Sequence, residues 1–99
     1  MALTVNINLG IGIIHIAGTT TTPVTIYTGV KKIQHIWWAG ETAGHEVELL
    51  SGSGKPIWGA TCGFADDPEQ IPMYGRAIDG LKVSRLDSGF LYVYVDETI

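Results

Sequence analysis

DGLKVSRLDSGFLYVYV, Asp79 to Val95, is the stretch on which the fold turns. Two runs rich in β-branched and aromatic residues flank Asp87-Ser88-Gly89, the pattern of a hairpin closed by a short loop. Gly89 is expected at the left-handed position of that loop, where a Cβ is disfavoured. In the second run Leu91, Val93 and Val95 alternate with Phe90, Tyr92 and Tyr94. A period of two sends the aliphatic set to one face and the aromatic set to the other. The aliphatic face asks for a core, and the aromatic face must also find cover.

Working outward, Met73 to Ile78 leads into that hairpin. Before it, Gly63 to Pro72 (GFADDPEQIP) is rich in Asp, Pro and Gln, and is expected to be a surface loop with one helical turn. His45 to Leu50 and Lys55 to Cys62 flank Ser51-Gly52-Ser53-Gly54 and read as a second hairpin, with Val47 and Leu49 inward and Glu46 and Glu48 outward. Lys31 to Ala39 reads as a strand with Ile33, His35 and Trp37 on one face and Lys32, Gln34, Ile36 and Trp38 on the other. Val24 to Thr28 is a separate strand that Gly29 ends or bulges, after a loop at Thr19 to Thr22 and an edge-compatible Pro23. From Leu3 to Ile13 apolar residues hold every second position, and the phase flips at Ile13-Ile14, which a bulge or a turn at Gly10 or Gly12 explains.

No stretch sustains a 3.6-residue apolar period, and 13 glycines weaken any helix. The expectation is all-β: a small antiparallel β-sandwich or partly closed barrel of about seven to eight strands. Residues 1–99 form one domain, with 1–18 as an N-terminal arm or a strand exchanged with a neighbour.

At 99 residues, with 45% apolar and 16% charged side chains, one core is within reach and disorder is not expected. Net charge is −4, and Lys31-Lys32 is the one adjacent basic pair, so nucleic acid is not an expected partner. No apolar run reaches the ~18 residues of a membrane span, so no membrane partner is expected. The opening MALTVNINLGIGIIHIAG lacks the basic region of a signal peptide and reads as mature sequence. Cys62 is the single cysteine, which excludes an intramolecular disulfide and fits a small buried hydrophobe.

Catalytic and metal signals are weak. SGSGK, Ser51 to Lys55, has the ending of a phosphate-binding loop, but Leu49 stands where the first Gly is required and Pro56 where a Ser or Thr is required. His15, His35 and His45 fall at no metal-site spacing, and His35 between Ile33 and Trp37 reads as a packed strand residue. Asp66, Asp67 and Glu69 match no calcium loop and read as a solvated turn. No catalytic residue, cofactor or metal is expected, and the chain is not expected to be an enzyme. The aromatics say more. Trp37 and Trp38 are adjacent and must point to opposite sides of a sheet, and Tyr92 and Tyr94 share a face. Tyr and Trp join a large apolar area to a polar handle, which suits protein interfaces. Trp37, Trp38, Tyr92 and Tyr94 are the candidate interface residues.

Three stretches resemble the short β-rich structural proteins of tailed bacteriophages and prophages: Lys32-Ile33 leading into Trp37, GHEVELLSGSGKPIW from Gly44 to Trp58, and Asp79 to Val95. That resemblance implies a virion component used in many copies. The concrete expectation is a capsid decoration subunit, itself oligomeric, made in the bacterial cytoplasm and binding the major capsid protein or tail proteins. A tail or neck accessory protein and a carbohydrate- or receptor-binding module are the alternatives, since aromatic faces also stack on sugar rings.

Overall fold

Two long strands give the molecule its shape. In the computed structural model, which describes residues 3–8, 12–39, 42–63 and 69–96, the chain forms seven antiparallel strands. They are β1 (Thr4–Asn8), β2 (Ile13–Ala17), β3 (Val24–Ala39), β4 (Glu46–Ser51), β5 (Pro56–Thr61), β6 (Glu69–Leu86) and β7 (Phe90–Asp96). Their order is β1-β2-β7-β3-β6-β4-β5 in one sheet that does not close into a barrel, and the described residues contain no helix.

One sheet makes two layers because β3 and β6 pass through both. Lys32–Ala39 of β3 pairs with β7, and the same half pairs with the first half of β6. Beyond the corner, Val24 to Tyr27 pairs with Leu81 to Val83, and the last part of β6 pairs with β4. The wide layer is therefore β1, β2, β7 and these halves of β3 and β6; the narrow layer is their other halves with β4 and β5. Register shifts at Thr25/Tyr27 and Tyr27/Val30 mark the corner on β3, and Gly80 with φ of 77° marks it on β6. Bulges bend and twist strands, which turns a sheet over on itself.

Between the layers lies one core. The wide layer gives it Ile14, Ile16, Ile33, Ile36, Trp38, Leu91 and Val93, and the narrow layer gives Val47, Leu49, Leu81, Val83 and Leu86. The registers Ile14↔Val93 and Ile36↔Val93 confirm that these side chains share the inner face. Cys62 is buried there as well. The chain is thus all-β and sandwich-like, with β7 alternating and the β4–β5 hairpin facing as expected.

Four local expectations are corrected. β6 and β7 are not paired: β7 lies between β2 and β3, and β6 between β3 and β4. Asp87-Ser88-Gly89 therefore carries the chain from one layer to the other, with the inner faces of β6 and β7 meeting across the core. Gly89 does take positive φ, 82°. Val24–Thr28 and Lys31–Ala39 are one bent strand. A register shift between Ile33 and His35 puts Ile33, Ile36 and Trp38 together inside and His35 with Trp37 outside. The strand β6 already begins at Glu69; Pro72 is tolerated because this half of β6 is a sheet edge needing no donor on its open side. Residues 64–68, with Asp66 and Asp67, lie outside the described residues. The N-terminal segment forms a β1–β2 hairpin in the chain's own sheet, Asn8 opposite Ile13, with Ile14 and Ile16 in the core.

Candidate functional site

The outer faces of the two layers differ. The narrow layer shows water Glu46, Glu48, Arg85 and Thr61, the composition of a solvated sheet face. The wide layer shows three aligned rows. One runs Thr4, Ala17, Phe90, Ala39; the next Asn6, His15, Tyr92, Trp37, Gln70; the third Ile13, Tyr94, His35, Pro72. No formal charge stands in these rows; Lys32 and Asp96, opposite one another, begin the next.

The rings are in mutual contact. His15 stacks on Phe90 at 5.7 Å between centroids and tilts on Tyr92 at 4.9 Å. His35 meets Tyr94 edge-on at 6.2 Å, and its Nε2 lies 2.7 Å from Gln70 Oε1. Phe90 is 44% exposed and Trp37 37%, while Tyr92 and Tyr94 are half-buried by their neighbours. Cross-strand ring contacts hold the side chains in place, so little rotamer entropy remains to be lost on binding.

At the open edge of β6 one ring projects into solvent. Tyr74 is 86% exposed and holds φ of 54°, in a bulge where Met73, Tyr74 and Gly75 stand opposite Gln34. A ring-bearing residue in the left-handed region costs free energy, and such cost gathers at functional positions.

Of the four sequence-based candidates, Trp37, Tyr92 and Tyr94 lie together on this face. Trp38 does not: it is wholly buried, and its Nε1 donates to Ser88 O at 2.7 Å. The register shift after Ile33 decides which tryptophan goes in. Phe90, sent by alternation to the side of Tyr92 and Tyr94, lies on this face as expected, though it was not among the interface candidates; sequence reasoning missed His15 on the face and Tyr74 at the β6 edge. His15 was there to be found in the alternation Ile14-His15-Ile16; the exposure of Tyr74 carries no sequence signal, because its position follows from a bulge.

The three histidines do not meet. His15 and His35 share the outer face two strand spacings and one row apart, about 12 Å, and His45 sits at the connection between layers, Nδ1 2.9 Å from Ser88 Oγ. No cluster of His, Cys, Asp and Glu suited to a metal occurs among the described residues. That connection is tied down from several directions. Thr42 N donates to Ser88 Oγ (2.9 Å), Glu46 N to Asp87 Oδ2 (2.9 Å), and Arg85 Nε to Asp87 Oδ1 (3.0 Å). Burial of Asp87 raises its pKa, but the Arg85 hydrogen bond, the Glu46 amide and the charges of Arg85 and His45 together hold it below the usual carboxylate range. At the opposite corner a cleft of about 390 Å³ is lined by Thr25, Thr28, Ser51 and Ser53, with Asp79 and Lys82. Nearby, burial and the Asp79 charge push the Tyr27 phenol up to about 12, so it keeps its proton and donates to Ile78 O at 3.3 Å.

No family model matches the chain, and no curated protein matches it. It is similar to a solved fucose-binding module of Streptococcus pneumoniae, SpX-3, at 10% identity and a TM-score of 0.44, over 85% of this chain and 71% of that one.

Proposed function

We propose that this protein is a non-catalytic binding module that attaches to a protein assembly through the outer face of its wide layer, and that the assembly is a phage particle on which it serves as a decoration subunit. The observation that carries the reading is the contrast between faces: one outer surface is charged, the other is ring-lined and without charge across three rows. Depletion of charge with enrichment of Trp, Tyr and Phe is the compositional mark of an interface centre. The resemblance to short phage structural proteins supports the virion as the assembly.

The size of the face sets the mode of action. Five strands about 4.8 Å apart and rows spanning roughly 15 Å give a flat footprint of roughly 350 Å², at the small end of interfaces. Such a contact is weak singly and strong when many copies engage one lattice. A copy that binds the assembled lattice and not its free subunits stabilises the lattice by mass action. Trp37 and Tyr92, neighbours in the middle row, are the anchors.

The test is quantitative mass spectrometry of purified particles from the phage or prophage whose genome encodes the chain. The expected result is a fixed, high copy number that falls at least tenfold in a Trp37→Ser, Tyr92→Ser double variant with an unchanged circular dichroism spectrum. Particles lacking the protein, or retaining the variant at full copy number, overturn the proposal. The carbohydrate reading has one observation in its favour, the amides of Asn6 and Gln70 at the two ends of the His15–Tyr92–Trp37 row. Glycan-array binding lost in the same double variant, with no protein in particles, would replace the first reading by the second.

A further inference from the structure

The sheet has open edges, and they are not equally protected. A sheet edge offers unpaired N–H and C=O groups to any extended chain, and folds blunt it with proline, charge or bulges. The free edge of β6 carries Pro72, the Tyr74–Gly75 bulge and Arg76. On β5 the edge begins with Pro56, and its pairing with β4 is interrupted between Leu49 and Leu50. The outer half of β3 is short, follows Pro23 and is irregular at Thr25/Tyr27. β1 has none of these: Thr4–Asn8 reads TVNIN, without proline or charge, and pairs with β2 with no register shift.

We infer that β1 pairs with β1 of a second copy, antiparallel about a two-fold axis through Asn6, joining two wide layers into one continuous sheet. Two observations select a second copy as the occupant. First, TVNIN alternates polar and apolar symmetrically about Asn6, so the two-fold sets Asn6 against Asn6, Val5 against Ile7 and Thr4 against Asn8. Every residue then meets its own class, as an isologous contact requires. Because β1 has no charge, the pairing brings no like charges together although each chain carries −4. Second, Ile7 follows Leu3 and Val5 on the core side yet is 43% exposed. The partner's Val5 would cover it, and the aromatic faces would become one surface of twice the width. The inference is independent of what that surface binds.

Sedimentation velocity of the full chain tests it, with circular dichroism confirming the fold of each variant. Asn6 is exposed, so Asn6→Lys and Asn6→Glu fold as the parent does. The expected results are a concentration-dependent dimer for the parent, dimerisation weakened at least tenfold in each variant alone, and its recovery in an equimolar mixture of the two, where opposite charges face each other. Trp37→Ser is expected to leave the dimer intact. A parent that is monomeric at every accessible concentration overturns the inference. So does an Asn6→Lys dimer of parental strength, a mixture that stays monomeric, or a dimer lost with Trp37→Ser, which would place the contact on the aromatic face.

Discussion

Val93 stands between Ile14 on β2 and Ile36 on β3 and is wholly buried; Tyr94, one position on, is half-buried on the outer face. Val93→Asp places a carboxylate among aliphatic side chains with no partner, and should cost on the order of 3 kcal/mol or more in urea unfolding. Tyr94→Ser should cost clearly less in the isolated chain. Equal losses would mean that the outer face is as much interior as the inner one. Tyr74 inverts the usual direction. Its side chain makes little contact and its backbone holds φ of 54°, so Tyr74→Gly should raise stability by about 1 kcal/mol, read as a higher unfolding midpoint. Asp87 makes stability depend on pH. Its folded pKa lies below its unfolded value, so its contribution is complete above about pH 4 and is lost as pH falls through the folded value. Arg85 is 48% exposed, so screening keeps the effect small. Asp87→Asn should lower the neutral-pH midpoint and flatten its fall below about pH 4, as urea midpoints taken through that fall would show.

The strand-level features that were legible in the sequence are those set by near neighbours. The alternation of β7, the facing of Val47 and Leu49, and the turn at Ser51 to Gly54 depend on a few consecutive residues. The pairing of β6 and β7 was not legible. A short connection with glycine at a left-handed position can turn the chain within a sheet or across a core, and the flanking alternations are the same in either case. Distant groups decide it: Trp38 donates to Ser88 O, and Thr42 and Glu46 give amides to Ser88 and Asp87. The aromatic face was half legible for the same reason, since Tyr92 follows from alternation while the choice of Trp37 over Trp38 follows from a bulge. The corner shows what a turn motif is for when it binds no phosphate. Gly52 of the Ser51–Gly54 turn donates to Asp79 O at 2.9 Å, and a Cβ on Gly80 would sit 2.8 Å from Gly52 Cα. Gly80→Ala meets backbone that cannot move aside and adds the left-handed strain. It should cost on the order of 2 kcal/mol or more in denaturant unfolding, whereas Gly63→Ala, with open space around it, should cost little.

At the scale of the whole molecule, the N-terminal hairpin decides whether the aromatic layer exists at all. An arm lent to a neighbour could be removed without loss of the fold, and deletion of residues 1–18 would then leave a folded chain. The burial of β2 in this chain predicts a different outcome. Ile14 and Ile16 are fully buried, at roughly 1.5–3 kcal/mol each, and their loss also uncovers Leu91 and Val93 along β7. Set against the roughly 5–15 kcal/mol that holds a small domain together, removal of β2 is expected to unfold the chain. Removal of residues 1–8 takes only an edge strand whose Leu3 and Val5 are partly buried and whose Ile7 is largely outside, so that truncation should stay folded with a lower midpoint. Amide dispersion in proton–nitrogen spectra distinguishes the cases directly. Dispersed peaks for the shorter deletion and collapsed ones for the longer would make β2 part of the core scaffold and β1 an edge added to it. Dispersed peaks for both would mean that β7 can close the wide layer alone, and that the hairpin belongs to an assembly before it belongs to this chain.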